Sequence, residues 1–88
     1  MTTFCIGKIL TNEHKYIYIK LYELYENKLW LLYVCDNNDN QLHIQNNMKI
    51  YDENHNELKK NILLNTYLLK MHKEYIIEYN DSEVIRIS

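Results

Sequence analysis

The chain has 88 residues, a formal net charge of −2 and 47% apolar residues. That suffices for one domain with one small core, burying roughly 60–65% of its unfolded surface, and it is too apolar for a disordered chain. No apolar run approaches the ~18 residues of a membrane-spanning helix, and the leading MTTFCIGK lacks a basic region before its apolar residues, so a cytoplasmic protein with no membrane partner is expected.

Asn occurs twelve times and Tyr nine, whereas Gly occurs once and Ala and Pro never. The contrast follows A/T-rich codons, a composition shared by low-GC bacteria, their phages and some large viruses. Its structural consequence is that Asn and Asp must supply the turns.

In chain order, residues 4–10 read as a strand with Phe4, Ile6 and Leu10 on one side. Asn12-Glu13 turns the chain back into a segment where Tyr16, Tyr18, Lys20 and Tyr22 alternate with Ile17, Ile19 and Leu21, the period of a strand. Tyr18, Leu21, Tyr22 and Tyr25 also fit helical spacing, but aromatic and β-branched residues favour the pleated surface. Pairing these segments sets Phe4 against Leu21, Cys5 against Lys20, Ile6 against Ile19 and Gly7 against Tyr18, whose ring would lie over bare backbone. A two-residue turn at Glu26-Asn27 leads into the apolar run 29–35 and pairs Leu21 with Leu32, Ile19 with Val34 and Tyr18 with Cys35. One face of the meander carries Ile17, Ile19, Leu21, Leu32 and Val34, with Trp30 nearer the turn. The other carries Tyr16, Tyr18, Lys20, Tyr22, Leu31 and Tyr33. Cys5 and Cys35 are then two strand spacings apart, ~9–10 Å, beyond the ~7 Å a disulfide spans, and read as free thiols.

Asp36-Asn37-Asn38-Asp39-Asn40 is a turn cluster before a short strand over 41–45. Its one-three-five carboxylate and amide spacing imitates a calcium loop, but Gln41 replaces the required Gly and Asn47 the bidentate Glu, so no metal is expected. Residues 48–51 form another strand, closed by a turn over 52–57. Asn54 with Glu57 could open a helix as a capping box, but the apolar residues from Leu58 to Met71 would lie all round it. Strands at 62–64 and 67–69 flanking Asn65-Thr66 are the preferred reading, with a short helical turn near 57–61 as the exception. Residues 74–79 and 83–87 flank Asn80-Asp81-Ser82 as a terminal hairpin. The expected architecture is a single small, predominantly all-β domain over 1–88. It is an antiparallel meander forming a curled sheet or partly closed barrel, with room for one short helix near 57–71.

Catalytic apparatus is absent from the motifs. Ser82 lies in a turn and Ser88 is the last residue. His14 and His55 fall in turns, and His43 and His72 join no metal or nucleophile spacing; no glycine-rich loop could hold phosphates. No enzyme, cofactor or metal site is expected. Tyr offers a large apolar area and a hydroxyl at small conformational cost, which suits interfaces. Tyr16, Tyr18, Lys20, Tyr22 and Tyr33 therefore form the expected partner-binding face, with the turns at 36–40 and 52–57 next. The partner is expected to be another protein, and a homodimer or a second core is the competing use of the face. The same residues resemble a stacking platform for single-stranded nucleic acid, which ranks second because phosphate binding needs more positive charge. In its most concrete form the expectation is a phage or mobile-element inhibitor that sterically blocks a host defence complex, such as a CRISPR-type nuclease.

Overall fold

A computed structural model describes residues 2–25 and 28–88. They form eight strands and no helix: β1 (Thr3–Leu10), β2 (Tyr16–Leu24), β3 (Leu29–Cys35), β4 (Gln41–Leu42), β5 (Met48–Asp52), β6 (Tyr67–Lys70), β7 (Tyr75–Tyr79) and β8 (Ser82–Ile87). The turn expected at Glu26-Asn27 lies outside the described residues.

β1, β2 and β3 make an antiparallel meander, and β4 and β6 both pair with the far side of β3. β5, β7 and β8 make a second antiparallel sheet. The sheets stack rather than closing into a barrel, because each has one face of alternating apolar side chains to remove from water. Ile9, Ile19, Leu21, Leu32, Val34, Tyr67 and Leu69 come from the first sheet and Met48, Ile50, Tyr75 and Ile77 from the second; Ile44 completes the core.

The β2–β3 register is the expected one, with Leu21 opposite Leu32, Ile19 opposite Val34 and Tyr18 opposite Cys35. The β1–β2 register starts as expected, with Phe4 opposite Leu21 and Cys5 opposite Lys20, and then shifts between Cys5 and Gly7. Gly7 therefore faces Ile19 instead of Tyr18, and Ile6 loses the expected partner. The extra residue reverses the alternation, so Ile9 enters the core and Leu10 is exposed. The bare Gly7 backbone accommodates the other sheet, not a tyrosine ring. A Cβ at Gly7 would lie 2.6 Å from Ile85 Cδ1 of β8.

Three further expectations change. The strand over 41–45 ends at Leu42, and Ile44 turns into the core from the following loop. No helix forms over 57–71: Asp52 Oδ1 accepts the backbone N–H groups of Asn54 and Asn56, and Leu58 N–H donates to the Ile50 carbonyl. The start of the segment that could have wound into a helix instead lies beside β5, with a bridge between Tyr51 and Glu57. Ile62, Leu63 and Leu64 are not a strand but the tip of a turn, closed by a bridge between Asn61 and Thr66.

Candidate protein-binding face

Successive residues of a strand point to opposite sides of a sheet. Because Ile19, Leu21, Leu32 and Val34 point into the core, their neighbours point away from it. The register sets Lys20 beside Tyr33, Tyr22 beside Leu31 and Tyr18 beside Cys35. All five residues expected from sequence, Tyr16, Tyr18, Lys20, Tyr22 and Tyr33, thus stand on the outer face of the first sheet. Tyr16 is 47% exposed and the other four are half-buried. None of them belongs to the core cluster or packs against it.

The face is wider than the sequence indicated. β1 adds Thr3 beside Tyr22 and Cys5 beside Lys20. β6 adds Leu68, which pairs with Leu31 and is 53% exposed. A row Thr3–Tyr22–Leu31–Leu68 therefore crosses four strands, apolar over most of its width. Leu68 is missed from sequence because its neighbour Leu31 lies 37 positions away, a pairing that local alternation cannot indicate. The alternation Tyr67-Leu68-Leu69, with Tyr67 and Leu69 buried, is the only local clue.

The electrostatics of the face are internally balanced. Lys20 Nζ donates to Asp39 Oδ1 at 2.9 Å, an ion pair with the 36–40 turn. This hydrogen bond holds the Lys20 pKa above and the Asp39 carboxyl below their ordinary values. Lys8 Nζ lies 4.5 Å over the Tyr16 ring, a cation–π contact. Burial raises the phenol of Tyr33 and, beneath the same turn, the thiol of Cys35. Cys35 is fully buried and Cys5 exposed; both are free thiols, on strands separated by β2.

His14, His55 and His72 hold turn positions with φ of 59°, 61° and 63°, and His43 is exposed just after β4. Among the described residues, no three His, Cys, Asp or Glu side chains stand close enough to hold a metal ion. A cleft of about 220 Å³ opens between the sheets, lined mainly by Ile17, Val34, Leu42, Ile44, Met48 and Tyr79. It is smaller than a usual ligand pocket of roughly 300–1,000 Å³, and no acidic or Lys/Arg side chain lines it. No protein-family model matches the chain, and neither does any curated protein or solved structure.

Proposed function

We propose that this protein is a non-enzymatic binding module that occupies another protein through Tyr16, Tyr18, Tyr22 and Tyr33, with Leu31 and Leu68. The observation that carries the reading is a sheet with two apolar faces of which only one feeds the core. Half-buried tyrosines on a stiff sheet lose little freedom when covered, and they bring hydroxyls that suit a protein interface. Binding of single-stranded nucleic acid ranks second. The cation at the middle of the face, Lys20, is already paired with Asp39, so it offers phosphate little net charge. The most specific form of the reading, a phage or mobile-element inhibitor acting sterically on a host defence complex, rests on A/T-rich composition and small size.

The test is a double substitution, Tyr18→Ala with Tyr22→Ala, in protein whose fold is verified by its melting curve. Affinity capture followed by mass spectrometry should lose a specific partner that the wild type retains. Loss of oligonucleotide binding with a steep salt dependence would transfer the face to nucleic acid. A change from dimer to monomer without loss of a partner would make it a self-association surface.

A further inference from the structure

Ile62, Leu63 and Leu64 are 86%, 95% and 57% exposed, three consecutive aliphatic residues at the end of one turn. Exposed aliphatic residues are ordinary when scattered; grouped at a protruding tip, they mark a contact. The backbone beneath them is held by polar side chains. Asn61 Oδ1 accepts Leu64 N–H at 3.0 Å, and Gln41 Nε2 donates to the Leu64 carbonyl at 2.9 Å. The Asn65 side chain clamps the loop after β4, accepting from Ile44 N–H and donating to the Leu42 carbonyl. Both backbone groups of Leu64 are satisfied in this way, which makes an apolar environment less costly for that residue.

Lys59 and Lys60 immediately precede the tip, whereas Lys70 and Lys73 lie in a separate groove with Asp52, Glu53 and Glu74, where Lys73 pairs with Glu53 at 3.7 Å. A groove at the base of the tip brings Ile62 together with Lys49, Lys59 and Lys60, against one carboxylate, Glu57. Lys60 Nζ is engaged by the Ile44 carbonyl at 2.8 Å, whereas Lys59 is exposed.

We propose that the Ile62–Leu63–Leu64 tip inserts into the surface of an anionic lipid bilayer, with Lys59 at the headgroups. Among the described residues no helix is long and apolar enough to cross a membrane, and surface insertion by a loop requires none. A bilayer accepts a convex tip without a matching pocket. Two of the three tip residues are Leu, which is under-represented among protein hot spots, and apolar side chains next to lysines let hydrocarbon burial and attraction to anionic lipid act together. Three four-carbon side chains carry about as much hydrocarbon as one myristoyl chain, so attachment is weak and reversible, on the order of 10⁴ M⁻¹. The inference is independent of the tyrosine face, which uses other residues.

Co-sedimentation with vesicles tests it, using phosphatidylcholine alone and an equimolar mixture with phosphatidylserine. The wild type is expected to sediment with the mixed vesicles and far less with phosphatidylcholine. Ile62→Ser with Leu63→Ser should abolish sedimentation at an unchanged melting temperature, since both side chains are almost fully exposed. Lys59→Gln should weaken binding to the mixed vesicles about fivefold, the effect of one lysine near an anionic surface. Failure of the wild type to sediment overturns the proposal, as does equal binding by the double-serine variant. If the wild type ignores both vesicles and the double-serine variant loses a protein partner, the tip belongs to a protein interface.

Discussion

Leu32 shows how much one side chain decides. It is completely buried, faces Leu21 on β2 and Tyr67 on β6, and so joins the meander to the strand that arrives last on that side. Truncation to Ala leaves a cavity ringed by well-ordered strands that cannot collapse, with an expected cost of about 2–5 kcal/mol. Against a total stability of about 5–15 kcal/mol for a typical domain, Leu32→Ala should lower the melting temperature by ~10 °C or more. Leu68→Ala, one position from Tyr67 but on the half-exposed outer face, should melt close to wild type. The comparison of the two melting curves tests the register directly, because a one-residue slip would exchange their effects.

At the scale of elements, the turns reveal how a chain with one glycine builds hairpins. Three of them are the same device. Thr11, Asp36 and Asp52 each accept, at the backbone carbonyl, the N–H of the residue three positions on; these are His14, Asp39 and His55. Each of those residues has positive φ, and the first residue's own N–H donates to the carbonyl of Lys15, Asn40 or Asn56. This is the three-residue hairpin connection, a turn ending in a left-handed residue, with His and Asp standing where Gly is usual. The side chain at the first position locks it: Asp36 Oδ1 accepts the N–H groups of Asn38 and Asn40, each at 2.9 Å. The Asn40 backbone bond, first among these, pulls the Asp36 carboxyl below its ordinary pKa. Asp39 is lowered chiefly by Lys20. For carboxyls whose folded pKa is depressed, the stabilisation is full above the unfolded value, 3.8, and is lost as pH falls through the lower folded value. Stability is therefore expected to decline in acid from near pH 4 downward, and the paired Asp36→Asn, Asp39→Asn variant should show a shallower decline. Melting temperature measured against pH checks this; an unchanged acid limb would show that neither carboxyl is linked to folding.

The whole molecule depends on how two small sheets meet. β1 and β8 lie at the edges of different sheets and approach each other where Gly7 meets Ile85. Adding a methyl at Gly7 places it 2.6 Å from Cδ1 and 3.2 Å from Cγ1 of Ile85, too close without movement of that side chain. Gly7→Ala should destabilise by roughly 1–3 kcal/mol through overpacking, offset in part by the intrinsic advantage of Ala over Gly within a strand. Ile85→Val removes the nearer carbon, so Gly7→Ala should cost about 1 kcal/mol less in that background, a coupling measurable by a double-mutant cycle. Additive effects would show that the sheets do not touch there.

The alternation of Tyr and Ile in 16–22, the apolar run 29–35 and the Asn-Asp turn before Ser82 determined by themselves that the chain is predominantly β, which strands of the meander pair, and that Tyr16, Tyr18, Tyr22 and Tyr33 share one face. Such features are local: side-chain direction follows a period of two, and a short loop sets the register of its own hairpin. Tertiary structure alone decided the rest. The bulge before Gly7 answers to Ile85, 78 positions away. Glu57 and Leu58 lie beside β5 because Leu58 finds a backbone partner in Ile50. Local pattern fails for Ile62, Leu63 and Leu64: their composition is that of a strand, yet they form an exposed tip because Asn61 and Thr66 close around them and β6 takes its place beside β3. Hydrophobic pattern states which residues can leave water, and only the completed packing settles which of them do.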